Sequence, residues 1–233
     1  MSTVQRWYKP LLRGDKIKAE YQETRQEEWA SALTHAVGVV LAVVAAVLML
    51  QHARQHGDAW HIVTVAIFGI TLVAVYLAST LYHGVCHPRW RRALLTCDYV
   101  CIYLLIAGSY TPFALVTIGG QVGWSIFGVI WGLAIIGVLL KLRFCDRFPL
   151  VSTGIYLAMG WMAVCFSVPA IEAMSTTGLV WLGAGGLAYT FGVAVYLWRH
   201  LPFNHAIWHL FVIAGSACHV TAIFHDVLPA LPA

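Results

Sequence analysis

HIVTVAIFGITLVAVYLASTLYHGV, residues 61–85, contains no Asp, Glu, Lys or Arg. A helix needs about 20 apolar residues to cross about 30 Å of hydrocarbon, so this stretch predicts a membrane span. The run is continuous rather than alternating with period two, which argues against a barrel strand. Ser79 and His83 stand near its end, four apart and therefore on one helix face. An imidazole in or beside hydrocarbon needs a reason, and a bound metal is the most economical one.

Six further apolar runs accompany it: Ser31–Gln51, Ala93–Val116, Val122–Leu140, Leu150–Pro169, Gly178–Trp198 and Ala206–Leu228. The chain is 60% hydrophobic and 10% charged, with mean hydropathy +0.76. Soluble domains carry about 25% charged residues, so that class is excluded. The expected fold is an all-α membrane protein, a seven-transmembrane helical bundle whose short loops make successive helices antiparallel neighbours. Met1 to Glu28 is polar and lacks the apolar core of a signal peptide, so the first run is expected to be a true span with nothing cleaved before it. The expected organisation is a polar cytoplasmic segment over residues 1–30, a seven-helix domain over 31–228 and a short external tail over 229–233.

Orientation follows from the basic residues. Thirteen of the fourteen fall on one side: Arg6, Lys9, Arg13, Lys16, Lys18 and Arg25 in the tail, Arg89, Arg91 and Arg92 in the second loop, Lys141, Arg143 and Arg147 in the fourth, and Arg199 in the sixth. Only Arg54 lies opposite. This bias predicts a cytoplasmic N-terminus and an external C-terminus. It also accounts for the net charge of +4 without a nucleic-acid partner. The six cysteines form no CxxC pair and read as packing residues, with Cys86, three residues from His83, the one to watch.

Placed by depth, the polar residues converge. Ser79 and His83 end the second span at the cytoplasmic face. Asp98 lies in the first turns of the third, and His205 and His209 open the seventh. Imidazoles at i and i+4 aim at one ion, as in HExxH sites. Three histidines with a fourth position open to water are the pattern of catalytic zinc. Plainer readings exist for each residue taken singly. A lone interfacial histidine is usually a polar anchor. Asp98 has Arg91, Arg92 or a helix N-terminus as alternative partners. Ser79 has the carbonyls of its own helix. His52, His56 and His61 read as solvated on the outer side. His219 lies ten residues beyond His209, about 15 Å deeper at 1.5 Å per residue, too far to share its ion, and reads equally as structural or as a second functional group. Pro112, after Gly108, predicts a kink in the third span. Gly183, Gly185, Gly186 and Gly192 predict a small-residue face on the sixth.

Three motifs carry a family resemblance: EWASALTH over residues 28–35, STLYH over 79–83 followed by Asp98-Tyr99, and HAIWH over 205–209 with His219 beyond it. Over residues 27–228 the chain resembles the hemolysin III family, the bacterial branch of the progestin and adiponectin-type receptors. The resemblance implies seven helices, an inward N-terminus and zinc held by His83, His205 and His209 near the cytoplasmic face. It implies that Ser79 and Asp98 hold a water at the metal. Ser31 replaces the family's asparagine in the first motif, which weakens a specific hydrogen-bond role there. Relatives are linked to hydrolysis of ceramide-like lipid amides, to membrane lipid homeostasis and, by name, to hemolysis. The leading expectation is a zinc-dependent hydrolase of a membrane lipid amide or ester in the bacterial inner (plasma) membrane. Asp98 is then the base or water-orienting group, Ser79 fixes the water or an oxyanion, and Glu28 and His35 support the site or the fold. The alternatives are a zinc-stabilised sensor without turnover and, against the absence of a polar stripe repeated across several helices, a pore-forming hemolysin. The membrane lipid partner carries no further identity in the sequence, and no protein partner is indicated.

Overall fold

Seven helical segments of the protein are long and apolar enough to cross a membrane, in a computed structural model that describes residues 23–144 and 147–229. Arg6, Lys9, Arg13, Lys16, Lys18 and Cys145 lie outside the described residues, as do most of the segment 1–30 and most of the tail 229–233. The spans are α1 (Arg25–His56), α2 (Ala59–Gly84), α3 (Pro88–Pro112) with its continuation to Ile118, α4 (Gly120–Phe144), α5 (Pro149–Trp161) with α6 (Ser167–Ala173), α7 (Thr176–Leu197) and α8 (Asn204–Asp226). No strand occurs among the described residues.

Capping chemistry sets the limits of α1, which overruns its apolar stretch at both ends. Thr24 Oγ1 accepts from the Glu27 N–H at 3.3 Å, and Glu27 Oε2 accepts from the Thr24 N–H at 2.8 Å, a reciprocal capping box. The polar overhang so created carries Glu27, Glu28 and Ser31 to the bundle mouth. At the other end Gly57 closes the helix by donating to Ala53 O. Asp58 then caps α2, accepting from the Trp60 and His61 N–H groups and from His61 Nδ1 at 2.7 Å. The His61 hydrogen bond holds the exposed Asp58 carboxyl below its ordinary value. His61 is therefore half-buried and paired rather than freely solvated, and His52 Nε2 donates to Pro229 O at 2.7 Å.

Pro112 ends the regular part of α3. The chain continues as a π-helix, Phe113–Ile118, and reverses at Gly119 and Gly120, whose φ values of 63° and 55° favour glycine. The fifth span is broken by a 3₁₀ turn, Met162–Phe166. Tyr110 supports that break: its hydroxyl accepts from the Ala163 N–H at 2.8 Å and lies 2.7 Å from Gly160 O. Backbone groups freed inside hydrocarbon need such partners.

Two apolar clusters hold the bundle. One joins α1, α2, α3, α7 and α8 around Met49, Phe68, Leu72 and Ile223; the other joins α3, α4 and α5 around Tyr103, Ile130 and Met159. Leucine, isoleucine and valine also cover the outer faces, as Ile70, Leu139 and Val180 do, which suits a lipid surround. Gly185 and Gly192 bring α7 close to α8, where a Cβ would collide with His219 and with Trp208 or Phe211. Gly183 meets nothing within 4 Å and does not belong to that face.

Candidate metal centre

α2 delivers His83 from its last turn, and α8 delivers His205 and His209 from its first two turns. One coordinating atom from each lies within 4.8 Å of the other two. The ring centroids of His83 and His205 are 4.7 Å apart, those of His83 and His209 5.2 Å, and those of His205 and His209 4.7 Å. The three predicted histidines are thus brought together by two helices far apart in sequence.

Each ring is tied off at the same nitrogen. His83 Nδ1 lies 2.8 Å from Glu28 Oε2, His205 Nδ1 2.5 Å from Glu23 Oε1, and His209 Nδ1 3.0 Å from the Ser31 carbonyl, with Thr34 Oγ1 at 3.2 Å. A carboxylate and a carbonyl only accept, so each Nδ1 donates. The neutral ring then keeps its lone pair on Nε2. His83 Nε2 is buried without a hydrogen-bond partner, an orphan that a cation would satisfy. Carboxylate–histidine pairs of this kind orient metal ligands and raise their basicity. Three imidazole nitrogens suit a borderline ion such as zinc.

Two acidic residues thus serve the histidines. Glu28 was expected to support the site; Glu23 was not singled out, because it falls in a tail whose sequence conveys only charge and polarity. Arg91 pairs with the second oxygen of Glu28 and lies 4.6 Å over the Tyr82 ring. Glu23, Glu28 and His83 also form a group that can hold an ion. The guanidinium already supplies a cation there, so the carboxylates read better as acceptors for the histidines. Burial raises the Glu23 carboxyl pKa, and the His205 hydrogen bond is the leading influence that brings it below the ordinary value.

A further acid, Glu27, fastens the N-terminal segment to α8. Its Oε1 accepts from the Phe203 N–H at 3.0 Å. Phe203 sits at φ 57°, the only non-glycine with positive φ among the described residues, directly before the turn that carries His205. The segment that enters and opens α1 therefore places α8 through Glu23, Glu27 and the Ser31 backbone. At position 31 the contact to a candidate ligand is made by the main chain. The side chain at this position is not needed for that contact, and Ser31 Oγ itself is buried without a partner.

Ser79 is 1% exposed, and its hydroxyl makes no bond to the carbonyls of its own helix. It stands beside Asp98, which is half-buried, and both line a cavity with the three histidines. His35 stacks on His209 with ring centroids 3.4 Å apart and planes 10° apart, and neither of its nitrogens has a partner. The cavity measures ≈ 2490 Å³ and continues past the site between α3, α5, α7 and α8 as far as Met174. His219 lines this deeper part and is outside the histidine cluster.

A seven-helix membrane protein with three histidines from its second and last spans, at one end of a long cavity, is the class that fold and site define. The chain belongs to the Haemolysin-III related family, whose match covers residues 23–220. It is 42% identical to Hemolysin-3 of Bacillus cereus over 204 residues, 88% of this chain and 93% of the relative. It is also 42% identical to a Hemolysin-3 homolog of Bacillus subtilis over 205 residues, 88% and 94% of the two chains. The human Monocyte to macrophage differentiation factor is 33% identical over 216 residues, 88% of this chain and 86% of the relative.

Proposed function

We propose that this protein is a zinc-dependent hydrolase of a membrane lipid amide or ester, with the metal held by His83, His205 and His209. The observation that carries the reading is the shared tie-off at Nδ1, which leaves three Nε2 atoms for one ion at the mouth of a lipid-sized cavity. Bound zinc would supply a Lewis acid that polarises a carbonyl and acidifies water. Asp98 takes the proton of the attacking water as the new C–O bond forms. It then returns that proton to the departing nitrogen or oxygen as the scissile bond breaks. The Ser79 hydroxyl makes no bond to its own helix and faces Asp98, so it is placed to hold that carboxylate and, once the carboxyl takes the proton, to donate to the carbonyl oxygen. The site lies at the cytoplasmic face of a bacterial plasma membrane with the N-terminus inside, as the basic-residue bias supports, and the chain divides into tail, bundle and external end as the sequence suggests.

The second reading is a zinc-clamped membrane sensor without turnover. The histidines join α2 to α8, so the ion would staple two helices whether or not water reacts there. Purified protein free of any histidine tag is assayed for metal and incubated with a lipid extract followed by mass spectrometry. Stoichiometric zinc with loss of one lipid class and release of its fatty acid supports the hydrolase. Zinc without any lipid change leaves the sensor, and absence of a bound metal overturns both.

A further inference from the structure

We infer that His219 is a second polar contact for the lipid, accepting through Nε2 a hydrogen bond from a hydroxyl carried on the lipid chain about 15 Å from the histidine cluster. The inference rests on the reading of the cavity as a lipid site. Three features of the structure lead to it.

The first is the fixed tautomer. His219 Nδ1 lies 2.9 Å from Gly215 O, and a carbonyl accepts only, so Nδ1 carries the proton and Nε2 the lone pair. Nε2 has no hydrogen-bond partner among the described residues, and the residue borders the cavity. The second is the contrast with four polar neighbours on the deeper wall, which are satisfied. Ser109 donates to Ile106 O, Thr190 donates to Gly186 O and accepts from Trp161 Nε1, and Tyr189 pairs with Ser216 Oγ at 3.0 Å. Tyr110 is occupied by the 3₁₀ turn. His219 therefore offers an open acceptor of fixed tautomer in a largely apolar length. An unpaired acceptor there costs stability unless a ligand supplies the donor. The third is a seat built for the ring. Gly185 of α7 faces it, and a Cβ at that position would lie 2.6 Å from His219 Nδ1. The glycine lets the imidazole lie between the two helices, with the Tyr189 ring 5.6 Å away.

Ten residues of α8 separate His209 from His219, which sets the spacing between the two polar contacts at about 15 Å. A lipid whose carbonyl lies at the histidine cluster would present a mid-chain hydroxyl at this depth, whereas a plain acyl chain would leave Nε2 unpaired.

The test compares two long-chain N-acyl amides identical except for one mid-chain hydroxyl. Equilibrium binding to the purified, metal-loaded full-length protein is measured, and turnover is followed separately. The hydroxylated amide is expected to bind roughly five- to tenfold tighter, the effect of one hydrogen bond. His219→Phe or His219→Leu should abolish that preference while metal content stays unchanged. Equal binding of the two amides to the wild type overturns the inference, and that arm needs no variant to fold. A preference that survives both substitutions also overturns it, as does failure of the hydroxylated amide to bind. Preference without turnover supports the subsite and removes the hydrolase reading, so the two proposals fail separately.

Discussion

Glu28 Oε2 lies 2.8 Å from His83 Nδ1, and the other oxygen of the same carboxylate is taken by Arg91. One side chain of α1 thereby fixes the imidazole of α2 and is itself fixed by the first turn of α3. Glu23 repeats the first half of the arrangement on His205, while its second oxygen has no hydrogen-bond partner among the described residues and lies 3.9 Å from His83 Nδ1. The histidine cluster is thus held from outside by an acidic collar contributed by the segment that enters the first span.

Removing the collar should loosen the metal without removing a ligand. Glu28→Ala and Glu23→Ala are each expected to weaken metal affinity about 10- to 100-fold, the range found when partners of ligating histidines are deleted. Competition against a chelator of known affinity measures this. Unchanged affinity in both variants would show that the carboxylates are bystanders.

Deleting a ligand should do more. His205→Ala and His209→Ala are expected to come through purification with little or no metal, whereas His35→Ala, which removes a ring stacked on His209, should retain it. Elemental analysis of matched preparations decides. Retention in both ligand variants would mean that the ion sits elsewhere.

The spans and the three histidines were legible because their signals are local. A continuous apolar run states a membrane helix by itself, and i,i+4 spacing states a shared face. Glu23 and Glu27 were not legible, since their partners His205 and Phe203 are brought to them only when α1 and α8 pack together. Arg91 was expected as one alternative partner for Asp98 and pairs with Glu28. Charge and proximity in sequence did not specify which carboxylate the fold would place within reach. Pro112 predicted an irregularity, but nothing in the sequence said that it would take the form of a π-helix.

Glu27 offers a test of how α8 is set. Its Oε1 takes the N–H of Phe203, a residue with φ 57°, where a side chain is disfavoured. Glu27→Ala leaves that N–H unpaired and removes the capping box. The expected cost is about 1–3 kcal/mol. It should appear as a lower unfolding temperature in detergent, with weaker metal binding because His205 follows two residues later. Unaltered stability would show that the latch carries no energy.

The topology is open to direct measurement. Reporters that work only in the cytoplasm or only outside, fused to each end, should place the N-terminus inside and the C-terminus outside. Both ends on one side would contradict the seven spans and remove the depth argument that unites His83, Asp98 and His209.

Asp98→Asn should separate reactivity from binding. The carboxylate borders the cavity beside Ser79 and is absent from the histidine group that can hold the ion. A positioned acid–base group contributes about 10²–10⁴-fold to rate. Asparagine keeps the shape and one acceptor oxygen but takes no proton. The variant is therefore expected to retain its metal while lipid turnover falls by about that factor. His83→Ala, by contrast, should lose metal and turnover together. Release of the metal from Asp98→Asn would make Asp98 a ligand, close the position that water needs and turn the reading toward the zinc-clamped sensor. Full activity with full metal would make Asp98 an ordinary carboxylate near the start of α3, and the proton would have to leave by another group.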